Sequence, residues 1–495
     1  MMVRSVKFNA IMNTLLTAST MLIGVITIPY VTRVLSVEGY GNVNFAQSLS
    51  MWLSALCLVG IPTYGVRECA RVRDDRKALA QVVRELLLII SISTIIVLGV
   101  FALCIFFVPR LRELAPLMWM FLIGTCLLSY GVEWYFQAME EYEYITIRSV
   151  VFKLLSLVAI FLFVRKQNDW LIYGLIIAIM TCGNNILNII RLFHEMPLCD
   201  DSGSLNLRRH LKPLASYAIL SVASSLYLYF DSVLLGLLNA NNIQVAFYQL
   251  SAKIKGICWS IINAIIGVLI PRLSYYIKNA PDKYEGLLKR GYGFVLNLCC
   301  GVMFYLFVYA QPIVILISSS KYLDAVFPIR IIGAVAFLSC MNTFLGLCIS
   351  CPLGFERKLA AANMLGVPIS LILNVSLDGF LGASGAAFSI LIAEIVIFVK
   401  QIFDCRRILN HVVSFAETFR TVLSHVAAFV VSFCFASFLL SKGNIDMFTT
   451  SGAAISIICG FFLYSAMWLC VASFIRENTA VWTLEILKKN LRRLS

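Results

Sequence analysis

About fourteen runs of some twenty apolar residues follow one another along this chain, and no other feature constrains its fold as tightly. A hydrocarbon layer about 30 Å thick is crossed by about 20 helical residues, and inside it each backbone N–H and C=O must be satisfied within its own segment. The expected fold is therefore all-α and polytopic. The runs lie near residues 10–31, 42–66, 86–108, 114–136, 144–164 and 170–190, then 213–238, 245–270, 291–317, 328–352, 359–377, 383–403, 421–441 and 450–474. Only 13% of the 495 residues are charged and 60% are hydrophobic, against about 25% charged in soluble domains. The first run is too long for the h-region of a signal peptide and lacks a small-x-small cleavage site, so it counts as a span.

Loops that face the cytoplasm collect Lys and Arg, which makes the span count testable. With the N-terminus inside, 28 of the 40 basic residues fall in inner segments and 8 in outer ones; the remaining 4 lie within spans. A miscounted span would invert every later loop and erase this asymmetry. The bias implies an even count with both termini cytoplasmic, and it accounts for the net charge of +14 with no nucleic acid as partner.

The longest inner connection, about 191–212, separates six spans from eight. Val43, Phe45 and Gln47 recur as Val245, Phe247 and Gln249, 202 positions later and just after the first span of each half. The expected organisation is an N-terminal lobe of helices 1–6 (1–200) and a pseudo-symmetric C-terminal lobe of helices 7–12 (201–410). Two further helices with a basic tail (411–495) complete it. Two-lobed transporters with a central site fit such a plan.

Sixteen cysteines lie mostly within apolar runs, where they act as small hydrophobes. The one CxxC, Cys348 to Cys351, has no second pair and the four histidines are scattered, so neither a metal nor another cofactor is expected.

Ionisable groups inside spans cost about 2.5–3.5 kcal/mol each at mid-bilayer, so they mark candidate sites. Four cations qualify: Arg148 and Lys153 on the fifth span, Lys253 and Lys255 on the eighth. Arg148 is about one turn from the inner end and can either snorkel to headgroups or face a cavity. Lys153 is too deep to snorkel. Lys253 and Lys255 point about 200° apart on a helix, so they face different surroundings. A cavity lined by these cations favours a phosphate-bearing ligand over a cationic drug. Among the acids, Asp231 and Glu394 are each either half of an ion pair or a site for a coupling ion, H⁺ or Na⁺. The acidic group Glu133, Glu140, Glu141 and Glu143 reads as a solvated inner loop.

The run Ile26 to Leu35 (ITIPYVTRVL), then Glu38-Gly39-Tyr40-Gly41 and Asn44-Phe45-Ala46-Gln47-Ser48, resembles the first hairpin of O-antigen and capsule repeat-unit flippases. These belong to the polysaccharide-transport branch of the multidrug/oligosaccharidyl-lipid/polysaccharide superfamily. Gly60 to Glu68 (GIPTYGVRE), Glu133 to Gln137 (EWYFQ) and Tyr144 to Ser149 (YITIRS) strengthen the resemblance, which covers about the first 155 residues.

The resemblance implies a fourteen-helix, MATE-like fold and a non-enzymatic role: moving undecaprenyl-pyrophosphate-linked oligosaccharide from the inner to the outer leaflet of a bacterial inner membrane. Membrane lipid, a glycan polymerase and other glycan-assembly proteins are the implied partners. On that reading Lys153, Arg148, Lys253, Lys255 and Arg33 are candidate pyrophosphate ligands, with Arg33 alternatively an interface marker. Pro29, which removes one helix hydrogen bond, is a gate hinge or a static kink. Gly39 and Gly41 are expected in a tight outer turn, and Gly60-Ile61-Pro62 is expected to end or kink the second span before a basic loop, Arg67 to Lys77. The rivals are a drug/cation antiporter of the same superfamily, which would present acids at depth, and a membrane glycan polymerase, which would carry a sizeable outer loop.

Overall fold

Helices account for nearly all of the computed structural model, which describes residues 6–196, 205–441 and 449–477. The basic tail expected at the C-terminus, with Lys488, Lys489, Arg492 and Arg493, lies outside the described residues. In chain order the helices are α1 (Val6–Val34), α2 (Val37–Leu58), α3 (Ile61–Arg71), α4 (Arg76–Phe107), α5 (Pro109–Glu113), α6 (Ala115–Ser129), α7 (Glu133–Ala138), α8 (Tyr142–Phe163) and α9 (Trp170–Glu195). Then follow α10 (Arg208–Leu238), α11 (Ile243–Asn279), α12 (Pro281–Ile317), α13 (Val326–Phe344), α14 (Glu356–Leu381), α15 (Ala383–Val412), α16 (Phe415–Ser441) and α17 (Thr450–Phe474). Among the described residues, thirteen helical segments are singly long and apolar enough to cross a membrane, and α2 with α3, bent by 41° at their junction, makes a fourteenth. The all-α, fourteen-span plan read from the apolar runs is the one observed.

Contacts divide the chain into two compact units, Met1–Ala246 and Phe247–Ser495. In the first, α2 is the central helix, packed against α4, α6, α9 and α10. Val43 and Phe45 of α2 are fully buried. An inner-end cluster joins Ile61, Leu86, Ile90, Trp134, Phe136 and Leu192. In the second unit, α13 packs against α12 and α15, and α15 against α14. Its core includes Val295, Cys299, Met341, Phe344 and Ile349. The outer faces stay apolar, with Phe107 and Phe380 80% and 91% exposed, as lipid-facing side chains must be.

The last two helices dock on α12 through polar and aromatic contacts. Lys289 pairs with Glu417 at 2.9 Å. Buried His425 bridges Tyr464 Oη (2.8 Å) and Asn297 Oδ1 (3.0 Å), and Tyr305 Oη donates to the Ile457 carbonyl at 2.7 Å.

Two expectations need correction, and one inner segment gains a structure. Gly39 and Gly41 are not in the outer turn, which falls at Leu35 and Ser36; they lie inside α2, whose first turn Ser36 caps. Gly41 is there for close approach: a Cβ on it would stand 1.9 Å from the Asn242 carbonyl oxygen, beside a 2.8 Å hydrogen bond from Asn242 Nδ2 to Asn42 Oδ1. The segment after Gly60 is not a loop. Val59 (φ 47°) and Gly60 (φ 76°) break the helix, Pro62 starts the next, and Arg67 and Arg71 ride on α3. Asp75 then caps α4 by accepting the Lys77 and Ala78 N–H groups. Finally, the basic inner segment between the eighth and ninth runs is a helical hairpin. It turns at Ala280 and carries α12 ten residues, about 15 Å, beyond its apolar run.

Gly41→Ala should lower the thermal midpoint of the purified protein, with a stability loss of about 1–3 kcal/mol from overpacking against backbone. Gly24→Ala, where nothing lies within 4 Å of the new Cβ, should leave the midpoint unchanged. Equal behaviour of the two variants would contradict the close approach of α2 to Asn242.

Candidate functional site

Arg148 and Lys153 stand five residues apart on α8, about 140° around the helix, and so meet different neighbours. Arg148 is turned inward and its side chain is 3% exposed; it does not snorkel. Its Nη2 donates to Glu133 Oε2 at 3.3 Å, and its guanidinium carbon lies 5.3 Å from the centre of the Tyr144 ring, one turn earlier. The remaining Nε and Nη1 are buried and have no hydrogen-bond partner. Burial with two unmatched donors is costly, and nearby negative oxygen is what would relieve it.

Lys153 faces α1. Its ammonium donates to Thr20 Oγ1 at 2.5 Å, to Ser19 Oγ at 3.4 Å and to the Leu16 carbonyl at 3.4 Å. The Ser19 and Thr20 hydroxyls in turn donate to that same Leu16 carbonyl, at 2.7 and 3.0 Å, so their lone pairs are turned toward the ammonium. All three N–H donors thus rest on neutral oxygens. No described carboxylate comes within ion-pair distance of Lys153, and the one acid nearby, Glu133, already pairs with Arg148. Two cations and one acid leave this stretch of the membrane with an excess positive charge.

The inner flank is closed by Arg191 of α9, which pairs with Glu141 and Glu195 at 2.6 Å each and sits 4.1 Å from the Tyr144 ring centre. Burial pushes the Glu141 carboxyl above the usual carboxylate range, against the pull of Arg191. Glu140 pairs with Arg73 at 3.1 Å. The acidic group expected to be a solvated loop is instead bound: Glu133 holds Arg148 of α8, Glu140 holds Arg73 of the turn between α3 and α4, and Glu141 holds Arg191 of α9.

The other candidates are dispersed. Arg33 is exposed in the last turn of α1, thirteen residues or about 20 Å along that helix from Thr20. Pro29 sits inside an α1 that runs unbroken from Val6 to Val34. Asp231 is buried on α10 in the first unit. Lys253 and Lys255 are half-buried on the part of α11 that belongs to the second unit. Glu394, on α15, is buried and accepts from Asn342 Nδ2 at 2.6 Å and from the Ser339 hydroxyl.

One ionic centre went unnoticed in the sequence. Fully buried Glu85 on α4 accepts from Arg209 Nε (2.7 Å), from the backbone N–H of Asn206 (2.8 Å) and from Gln81 (3.2 Å), and pairs with His210 Nε2 at 2.7 Å. His210 Nδ1 meets Tyr64 Oη at 2.8 Å, and Arg67 donates to Tyr217 Oη at 2.9 Å. The group ties the start of α10 to α3 and α4. An acid at the head of an apolar run (VVRELLLII) was the available signal, but its partners are more than 120 residues away.

The model of the family described as "Polysaccharide biosynthesis protein" matches residues 6–277, more than half of the chain. The chain belongs to that family. It is similar to two curated proteins that both carry the name "Putative O-antigen transporter". The one from Escherichia coli (strain K12) is 23% identical over 398 residues, 79% of this chain and 95% of the relative. The one from Shigella dysenteriae is 25% identical over 412 residues, 79% and 98%. Among solved structures, the lipid II flippase MurJ in an inward closed conformation superposes with a TM-score of 0.63 at 13% identity, covering 94% of this chain and 99% of that one. An inward-facing MATE multidrug resistance transporter of the MOP superfamily gives 0.58 at 15% identity, covering 80% and 96%. The fold of this polysaccharide biosynthesis protein is therefore the one shared by those transporters.

Glu85→Ala should destabilise the first unit by about 1–3 kcal/mol, because it leaves His210 and the Asn206 N–H without their acceptor. Glu85→Gln, which keeps an acceptor oxygen, should cost less. Thermal unfolding of the two variants side by side is the check, and a Glu85→Ala midpoint equal to that of the parent would remove the centre from the account of the fold.

Proposed function

We propose that this protein moves an undecaprenyl-pyrophosphate-linked oligosaccharide from the inner to the outer leaflet of the bacterial inner membrane by alternating access, making and breaking no covalent bond. The observation that carries the reading is the unbalanced charge on α8. Lys153 has only neutral oxygens around its ammonium, and Arg148 keeps two buried donors without acceptors beside a single carboxylate. A diphosphate supplies the missing negative charge and several acceptor oxygens at once, and arginine and lysine are the side chains suited to it. Membership in the polysaccharide biosynthesis family and the names of the two curated relatives support a glycan as the attached cargo. Lys253, Lys255 and Arg33 remain proposed contacts for the same headgroup at other points of the cycle, and Pro29 a proposed hinge.

Glu394 is the better-formed of the two candidate ion sites, because Asn342 and Ser339 hold its carboxylate from α13. In the proposal it takes up H⁺ or Na⁺ to reset the inward state, with Asp231 as the second candidate. A drug/cation antiporter is the alternative suggested by the MATE likeness; the excess of cations over acids around Arg148 and Lys153 opposes it. The glycan polymerase and other assembly proteins are proposed neighbours in the membrane.

In a flippase-deficient strain supplied with a defined repeat unit, expression of this protein should restore surface glycan. Lys153→Ala and Lys253→Ala, at equal membrane levels, should reduce it at least about tenfold, the value of one lost charge-assisted contact. Intact export in both variants would sink the headgroup assignment, and drug resistance without glycan export would favour the antiporter.

Glu394→Gln keeps the hydrogen-bonding shape but fixes the charge at zero. Export by this variant in inverted vesicles should lose its dependence on the transmembrane ion gradient, whereas a response to the gradient equal to that of the parent would exclude Glu394 as the coupling site.

A further inference from the structure

We propose that Ser19 and Thr20 of α1 form a surrogate ligand for Lys153, a hydroxyl clasp that an arriving diphosphate displaces, so that headgroup binding releases α1 from α8. This rests on the reading of Lys153 as a diphosphate site and adds the residues that compete for it. The geometry is that of a placeholder. An ammonium offers three donors, and here all three are taken by α1: Thr20 Oγ1 at 2.5 Å, Ser19 Oγ at 3.4 Å and the Leu16 carbonyl at 3.4 Å. Both hydroxyl protons are spent on the Leu16 carbonyl, so the two oxygens present lone pairs as phosphoryl oxygens do.

Charge makes the exchange directional. Neutral hydroxyls stabilise an ammonium less than an anion does, because a full opposite charge adds Coulombic attraction that a hydroxyl dipole cannot supply. A diphosphate therefore wins Lys153 from the clasp, and a clasp that had been a carboxylate would not let go. α1 packs along α8, while its other face is apolar and exposed. Ile11, Leu15, Leu22, Val25 and Ile26 are exposed apolar residues, and Thr146 Oγ1 of α8 donates to the Met12 carbonyl at 3.0 Å. Breaking the clasp removes three polar contacts between α1 and α8. Gly24, whose missing side chain meets nothing within 4 Å, and Pro29 follow within ten residues, where the helix is least stiff.

The test uses the full chain purified in detergent, with geranylgeranyl diphosphate as the probe, titrated calorimetrically, and amide exchange of α1 read by mass spectrometry. Ser19→Ala with Thr20→Val removes the competitor and should bind the probe about 10- to 150-fold tighter than the parent, the worth of one charge-assisted hydrogen bond. Thr20→Ser, which keeps the oxygen, should bind as the parent does. The probe should speed exchange in α1 of the parent, and α1 of the double variant should exchange fast from the start. If the double variant does not purify, Thr20→Val alone, which loses the 2.5 Å contact, carries the same expectation.

Unchanged or weaker binding by a variant with the parent's thermal midpoint overturns the clasp, since the hydroxyls would then be supports or ligands in their own right. Lys153→Met separates this failure from that of the underlying site. Lost binding in Lys153→Met with no gain in the hydroxyl variants refutes the clasp alone, whereas parent-like binding in Lys153→Met refutes the diphosphate site itself. Inorganic pyrophosphate should give the same rank order among variants. A gain seen only with the prenyl chain would assign the effect to lipid access at α1 and overturn the exchange.

Discussion

A charge carried into hydrocarbon must find an opposite charge or a set of oriented oxygens, and most of what is specific about this protein follows from how its few intramembrane charges meet that demand. The apolar runs make helices compulsory, but they leave open which helices touch. Where charges occur, that freedom is lost. Glu85 cannot be buried without Arg209, His210 and the Asn206 N–H, so the start of α10 is tied to α3 and α4. Arg148 requires Glu133, which fixes α7 against α8. Arg191 gathers Glu141 and Glu195 around the Tyr144 ring and joins the end of α9 to the start of α8.

These pairs differ from the surroundings of Lys153 in a way that separates structure from chemistry. Around Glu85 nearly every donor has its acceptor, and such a centre holds the fold. Around Lys153 and Arg148 the positive charge is only partly answered, by hydroxyls, a carbonyl and one carboxylate. A fold optimised for stability alone has no use for an unbalanced cation in a lipid-spanning helix. The imbalance is what makes α8 the candidate site, whereas the Glu394 carboxylate is held by amide and hydroxyl donors from α13.

The spans were legible in the sequence because span length is a one-dimensional property, counted in consecutive apolar residues. The loop-by-loop charge bias was legible for the same reason. Partners were not. Glu85 and Arg209 are 124 residues apart, and nothing in VVRELLLII names the residue it meets. Ser19 and Thr20 look like any hydroxyls that back-bond within a helix, and only the placement of α8 beside α1 turns them toward Lys153. Arg148 was ambiguous because distance from the helix end is readable in sequence and rotation about the helix axis is not. Gly41 was misread for a related reason: a glycine that lets two backbones meet has the same signature as one that makes a turn.

The hairpin formed by α11 and α12 continues as helix beyond the apolar runs of the second unit. Arg272, Lys278, Lys283 and Arg290 are carried on it together with Asp282 and Glu285, while Lys289 is engaged with Glu417. Basic residues near an anionic leaflet contribute about 1 kcal/mol each, and a stiff mount makes their pull act on the unit as a whole instead of on a slack loop. Charge fixed to a helical mount acts as a handle on the helices behind it, which a charge on a slack loop cannot be.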